Sequence, residues 1–579
     1  MPEKTDKPIV FTLTARCRDC YRCLRSCPVK AIRMQKGQAY VDEKRCIACG
    51  TCIRECPQKA KTFRYDIDIA QSLIDNGHFV AASIAPSFAA VFNSWQRVRL
   101  ASALRALGFR YIGQTSRGAY QVSAHTAKVI GKDDHAYPSY IATACPALVN
   151  YVEKYRPELV ENLLPIVSPM VAHARMLKEK LGKEVKVIFI GPCVAKKSEI
   201  DRSGIAGVVD CVLTFNELMQ WFEQKGVNLA TCEESNFDEK PLHVAQLYPL
   251  PGGSLKTAGM DDDGLSLASL RVDGVENVKE VLRDIPLESP YKLIEPLFCS
   301  QGCINGPGID MEKNLFERRR NIIEYDKEVT ESSIIPPLEN SDLFKARFVK
   351  EEGFFHEVSE EEIKRILERT GKFDPEQQLN CGACGYGSCR EKAIAVAHGM
   401  AEPEMCIPYM RQLAERRTDH LFTTTPNGIL MLDEELNILR INPAFKKFFT
   451  CSDAVIGRHI SYLMDPAPFE KLISSVADNI DVTVFHRPYN LLCRELLYTL
   501  KQERQIVGIF INITSQQEQE KKLNQIRSQT IEQAHELLEH QIKMAQNIAQ
   551  FLGESTAKGE ELVRKLVSLS DTDEQSKSQ

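Results

Sequence analysis

Residues Cys299–Gly308, CSQGCINGPG, set two cysteines four residues apart in a loop rich in glycine and proline. Two thiolates do not close a metal site. A cubane iron–sulfur cluster takes four, so two more must come from elsewhere in the chain. Two candidates lie upstream, each in its own turn: Cys145 in TACPA and Cys193 in GPCVAKKSE. The β-rich run Glu184–Ile190 (EVKVIFI) feeds straight into Gly191-Pro192-Cys193. His78–Ile84 (HFVAASI) reads as a buried strand ending at Ala85-Pro86-Ser87, and Val98–Leu107 has helical periodicity. Strands alternating with helices over residues 63–355 predict an α/β fold whose site lies in the loops at strand ends. There Cys145, Cys193, Cys299 and Cys303 have to meet.

The rest of the composition narrows the class. At 579 residues the chain has room for about four domains. A net charge of −5 gives no electrostatic case for nucleic acid or an anionic membrane. No apolar run is as long as a membrane span, and Met1–Lys30 lacks a signal-peptide core, so a cytoplasmic location is expected. Of the 20 cysteines, 16 fall into four sets of four read as metal ligands, not as a disulfide framework. Cys211, Cys232, Cys451 and Cys493 fall outside these groups and read as small hydrophobic residues.

Residues 1–62 carry the pattern C-x2-C-x2-C-x3-C-P twice, at Cys17, Cys20, Cys23 and Cys27, then at Cys46, Cys49, Cys52 and Cys56. This is the bacterial ferredoxin run for two [4Fe-4S] clusters, in which the fourth cysteine of each run serves the other cluster. Cys17, Cys20, Cys23 and Cys56 are therefore assigned to one cubane, and Cys46, Cys49, Cys52 and Cys27 to the other. Zinc also takes four thiolates, but it does not call for the duplicated run with its prolines.

The three segments around Cys145, Cys193 and Cys299/Cys303, with SIAPSFAAVF and LPGGSLKTAG beside them, resemble the large-subunit domain of [FeFe] hydrogenases over Ile84–Gly308. The resemblance implies that Cys145, Cys193, Cys299 and Cys303 hold the H-cluster cubane. It further implies that Cys303 bridges to a diiron subcluster with carbonyl and cyanide ligands, and that Ser87 and Lys196 donate hydrogen bonds to the cyanides. For Lys196 the plainer reading is a solvated loop charge. The sequence also departs from the family. Where catalytic members carry a proton-relaying cysteine beside the first ligand, this chain has Ala144. Two family methionines are replaced by Gly191 and Leu297. Loss of a positioned acid or base costs about 10²–10⁴ in rate, so slow turnover is expected.

Residues 311–375 are charged and helix-prone and read as a solvated linker. Cys381, Cys384, Cys389 and Cys406 then resemble a small [4Fe-4S] domain found in anaerobic redox proteins, with a zinc knuckle as the alternative. Its place after the hydrogenase-like domain suggests an electron exit toward the C-terminal half. Thr423–Phe445 and the strand-like runs at 481–486, 493–500 and 505–513 resemble a PAS domain. His459 and His486 are weak candidates for a haem ligand, and no PAS ligand is evident. From Ser515 to Leu566, Ile531, Ala534, Leu538, Ala545, Ile548 and Leu552 fall on heptad a and d positions with Gln541 as a polar break. That pattern predicts a short parallel coiled coil, with an ordinary amphipathic helix as the alternative.

The fold class is thus multidomain α/β. A ferredoxin-type α+β domain is expected at 1–62, an H-cluster α/β domain at 63–355 and a [4Fe-4S] domain at 356–411. A PAS α+β domain is expected at 412–515, a signalling helix at 516–570 and a disordered tail at 571–579. This order resembles that of a sensory [FeFe] hydrogenase. It implies a hydrogen or redox sensor with slow hydrogenase activity, which uses H2 and protons and a ferredoxin-like redox partner. It also implies a homodimer through the PAS domain and helix, with output to a kinase or phosphatase. The alternatives are a metabolic ferredoxin-linked hydrogenase and a multi-cluster iron–sulfur protein that never acquires the diiron subcluster.

Overall fold

The computed structural model describes residues 8–514 apart from 132–138, 261–266, 310–312, 330–335, 352–356, 475–478 and 501–502, together with 531, 537–539, 541 and 544. The chain forms two compact units, Met1–Cys406 and Ile407–Gln579. The coiled-coil and tail expectations fall almost wholly outside the described residues.

The first unit begins with two antiparallel pairs. Val10–Thr12 pairs with Lys61–Phe63, and Ile32–Gln35 pairs with Gln38–Val41. The cysteine runs lie in the loops between them, and the helices Arg22–Ser26 and Thr51–Arg54 follow Tyr21 and Gly50. Both of these residues have positive φ, 55° and 74°. Gly50 makes that turn at no side-chain cost.

Two parallel sheets follow. The larger has the spatial order Tyr111–Gln114, Val80–Ile84, Lys186–Gly191, Cys211–Thr214. Every residue of Val80–Ile84 is buried, as a strand covered on both faces by helices requires. The smaller sheet has the order Ser269–Asp273, Leu293–Leu297, Tyr140–Ile141. The sheets explain where the cysteines lie: Cys145, Cys193 and Cys299 each follow the C-terminal end of a parallel strand. That is the edge at which open α/β sheets place their ligands.

Lys197 fastens the chain just beyond the ferredoxin-like segment to this core. It is fully buried, and its Nζ lies 2.9 Å from both Asp66 Oδ2 and Glu217 Oε1. Removing one partner from such a buried cluster costs about 3–5 kcal/mol, because the opposite charge is left uncompensated.

The solvated-linker expectation for residues 311–375 needs correction. The helix Leu315–Val329 buries Arg318, Ile322, Tyr325, Asp326 and Val329 in the core, and Tyr325 meets Phe88 edge-on at 5.1 Å. Charge density misleads here because arginine and aspartate become buried once they find hydrogen-bond partners. Arg318 Nη1 donates to Ile304 O at 3.1 Å and so braces the turn Cys303–Asn305.

The second unit holds a five-stranded antiparallel sheet in the order Ile438–Ile441, Gly428–Leu432, Gln505–Asn512, Leu491–Leu500, Asn479–His486. Asn442 caps the helix Pro443–Phe448 by accepting from Phe445 N. Asn442-Pro443 supplies both the cap and a proline suited to the first helical position. Phe445, Phe449 and Phe510 fill the core beneath the sheet.

Candidate iron–sulfur centres

The structure brings Cys145, Cys193, Cys299 and Cys303 into one another's electrostatic reach. Cys145 precedes the helix Pro146–Tyr155, and Cys303 opens its own short turn. Burial pushes the Cys193 thiol up to about 12 and the Cys299 and Cys303 thiols well above their usual range. Thiols this deep stay neutral until a metal displaces the proton. Among the described residues no three ligand-type side chains converge on a point the size of one ion. A cubane needs the thiolates spread around its own irons and sulfides.

Beside Cys193 and Cys303 opens a cavity of about 80 Å³. Its wall includes Ser87, Thr115, Ala144, Phe189, Lys196 and Leu297. Ser87 is 1% exposed, and its hydroxyl has no hydrogen-bond partner. A buried hydroxyl left unpaired costs about 1–3 kcal/mol, so Ser87 is a position the fold alone does not account for. Lys196 is buried, not solvated, and its Nζ is held at 2.7 Å from Glu199 Oε2 and 3.4 Å from Ala144 O. The wall is apolar at two of the departures expected from the sequence, and the third, Gly191, lies beside the wall residue Phe189. Leu297 and Ala144 face the cavity, and a Cβ at Gly191 would meet the Phe189 ring at 2.5 Å. Phe189 therefore occupies the space a longer side chain at 191 would need.

In the ferredoxin-like segment, Cys17, Cys20, Cys23 and Cys56 line one small cavity, so Cys56 crosses to the first run. Cys27 is near Cys46, Cys49 and Cys52, which is the reciprocal crossing. Burial raises Cys23 to about 11 and Cys46 to about 12. The second group abuts the Cys299–Gly308 loop: Arg54 Nη1 donates to Asn305 O at 2.9 Å, and Pro307 packs against Gly50.

Cys381, Cys384, Cys389 and Cys406 also gather, with Lys372 and Lys392 buried among them. Lys372 Nζ lies 3.3 Å from Cys406 Sγ. These two lysines went unnoticed in the sequence, where their spacing matches no motif. The group is docked on the ferredoxin-like segment. Lys30 Nζ donates to Gly385 O at 2.9 Å, Arg25 Nη1 to Ala383 O at 3.4 Å, and Met34 N to Met400 O at 3.0 Å. The buried Tyr386 ring stands near both Cys384 and Cys27. Of the remaining candidates, His459 is exposed and bonds Ser461, while His486 is buried and paired with Glu495 at 2.7 Å. Cys211 and Cys493 are buried in apolar cores, as expected; Cys232 and Cys451 are partly buried at core margins.

Residues 78–307 match the family described as iron only hydrogenase large subunit, C-terminal domain. Over these residues the chain is similar to hydrogenases.

Around this hydrogenase domain, residues 9–64 match a 4Fe-4S dicluster domain, 377–408 an Fe-S cluster family and 418–489 a PAS domain. The chain is 27% identical over 357 residues to the periplasmic [Fe] hydrogenase large subunit of Nitratidesulfovibrio vulgaris, covering 51% of this chain and 84% of that one. It is 24% identical over 231 residues to the cytosolic Fe-S cluster assembly factor narfl of Xenopus tropicalis, covering 31% of this chain and 48% of that one. The second match thus spans about half the relative's length. A solved [FeFe]-hydrogenase of Chlamydomonas reinhardtii aligns with 50% of this chain and 99% of its own, at 18% identity and a TM-score of 0.40. No helix among the described residues is long and apolar enough to cross a membrane.

Proposed function

We propose that this protein is a hydrogen or redox sensor built on an [FeFe] hydrogenase site. In this reading Cys145, Cys193, Cys299 and Cys303 would hold a cubane, and Ser87 and Lys196 would hold the non-protein ligands of a diiron group seated beside Cys303. The group, when bound, supplies the site at which hydrogen is split or formed, and the cubanes store the electrons. The observation that carries the reading is the cavity beside Cys303, with the unpaired Ser87 hydroxyl on one side and Ala144 where a thiol would relay protons. An apolar wall at 144 and 297 favours slow turnover, which suits a reporter better than a metabolic enzyme.

The electron route follows the docking contacts. The Cys27/Cys46/Cys49/Cys52 centre adjoins the Cys299 loop through Arg54 and Gly50. The Cys381/Cys384/Cys389/Cys406 centre adjoins the ferredoxin-like segment through Lys30, Arg25 and Tyr386. Electrons leaving the hydrogenase domain would therefore reach the last centre through the ferredoxin-like module. Cys406 is followed directly by the helix Ile407–Thr424, which leads in sequence to the PAS strands. The PAS domain and the helix after it would dimerise the protein and pass the redox state to a kinase or phosphatase partner. A reducing compartment such as the cytoplasm suits thiolate clusters of this number.

A second reading draws on the relatives named as Fe–S assembly factors: an iron–sulfur protein with no diiron group. The test is Ala144→Cys in protein loaded with all clusters and the diiron group. We expect hydrogen turnover to rise by about 10²-fold with unchanged cluster content. Turnover that is already fast and indifferent to the substitution would favour a metabolic hydrogenase. Protein that takes up all its iron–sulfur clusters but cannot be loaded with the diiron group would favour the second reading.

A further inference from the structure

The missing thiol at 144 raises the question of how protons cross between the cavity and solvent. An unbroken chain of side-chain hydrogen bonds leads out of the cavity by another wall. Thr115 lines the cavity, and its Oγ1 lies 2.8 Å from Ser83 Oγ. Ser83 Oγ lies 2.8 Å from His173 Nδ1, and His173 Nε2 lies 2.9 Å from Glu239 Oε2. Tyr111 donates to Glu239 Oε1 at 3.3 Å, and the exposed Lys180 donates to the Tyr111 hydroxyl at 2.6 Å. Ser83 and His173 are fully buried.

The fold builds this line deliberately. The strand Tyr111–Gln114 runs from the surface to the cavity, ending just before Thr115, while the helix Pro169–Leu181 runs the opposite way from Met170 on the cavity wall to Lys180. The His173–Glu239 pair fits between them because two facing positions are glycine. A Cβ at Gly113 would stand 2.6 Å from Glu239 Oε2 and 2.8 Å from His173 Cε1, and one at Gly118 would stand 2.8 Å from His173 Cβ. Burial alone would raise the Glu239 carboxyl, but His173 and then Arg117 outweigh it and hold the group below its ordinary value.

We propose that Thr115, Ser83, His173, Glu239 and Tyr111 form the proton path of this site, in place of the thiol that Ala144 lacks. The proposal rests on the hydrogenase reading. With Nε2–H donated to the Glu239 carboxylate, Nδ1 is free to accept from Ser83. A proton taken up at Thr115 Oγ1 releases the Thr115 proton to Ser83 Oγ, and Ser83 releases its own to Nδ1. The imidazolium is held by Glu239, to which it passes the Nε2 proton. The carboxyl then turns its proton to the Tyr111 oxygen as the phenol hydrogen swings from Glu239 to water and is released there. One proton enters and one leaves in each pass, and the imidazole and hydroxyls return to their starting protonation and orientation before the next, so two passes with that reset between them serve one hydrogen molecule whose two electrons go to the iron–sulfur centres. Charged and titratable groups facing the pair are Arg117, Glu179, Asp238, Glu339, Tyr111 and Lys180.

The test compares wild type with His173→Gln, Glu239→Gln and the near-isosteric Thr115→Val, all with every cluster and the diiron group loaded. Each substitution should lower turnover by about 10²-fold while leaving the carbonyl and cyanide infrared bands in place. The pH profile should lose the limb set by the His173–Glu239 pair. An independent readout uses protein without the diiron group and with 15N-labelled histidine. The His173 ring proton should exchange with solvent far faster than the buried amides of Val80–Ile84. A purely structural pair would exchange only on unfolding, and that result, or wild-type turnover in Thr115→Val with intact bands, would overturn the path. Absence of bands from wild type itself would instead overturn the hydrogenase reading on which it rests.

Discussion

Ser87 shows how one atom can distinguish a structural position from a functional one. It stands at the start of the short helix Phe88–Val91, where a serine hydroxyl would ordinarily cap the helix, yet it makes no capping bond. A buried donor without a partner destabilises the cofactor-free protein. Ser87→Ala should therefore raise the stability of that form by about 1 kcal/mol, read by urea unfolding. In loaded protein the same substitution should shift the cyanide bands. A loss of stability without the cofactor would mean that the hydroxyl serves the fold. At this scale spacing grouped the clustered cysteines of the ferredoxin-like and 381–406 segments, whereas Cys145 and Cys193 stood out only through the resemblance of their segments. For Lys196, motif reading placed the residue but not the Glu199 pairing that buries it. The sequence was silent on His173 and Glu239, 66 residues apart and brought together only by the fold.

Among the elements, the parallel strands were the most legible. Val80–Ile84 and Lys186–Gly191 read as β-rich runs because both faces are covered, and each leads into a loop of the site. The PAS strands were equally plain from their runs and the Asn442 cap. The helix Leu315–Val329 was misread as solvated because its charges are satisfied inside the protein, where only the tertiary partners reveal it. The docking of the 377–406 region on the ferredoxin-like segment was also hidden, since it rests on backbone carbonyls that carry no sequence signal. The equivalent joint with the hydrogenase domain depends on Gly50. Its φ is 74°, and a Cβ there would stand 2.4 Å from Pro307 Cγ. Gly50→Ala should cost about 1–3 kcal/mol, seen as a lower melting temperature. It should also slow reduction of the ferredoxin-like clusters by hydrogen while leaving their reduction by dithionite unchanged. Equal slowing by both reductants would place the damage in the cluster and not in the joint.

For the whole molecule, the arrangement joins four cysteine sets in one compact unit and follows them with a PAS domain. The hydrogenase domain's cavity lies behind the Cys299 loop, the Cys27/Cys46/Cys49/Cys52 set adjoins that loop, and the last set adjoins the ferredoxin-like segment. In the function proposed above, a chain so connected would carry a redox state from the cavity to the residue that precedes the PAS-bearing unit. All of this depends on whether the cavity holds a diiron group that responds to hydrogen. The most direct measurement is infrared spectroscopy of the full-length protein after maturation with the diiron cofactor, titrated with hydrogen. The account predicts carbonyl and cyanide bands that shift reversibly as hydrogen is added and withdrawn. Protein with all its iron–sulfur clusters in place and no such bands would contradict it.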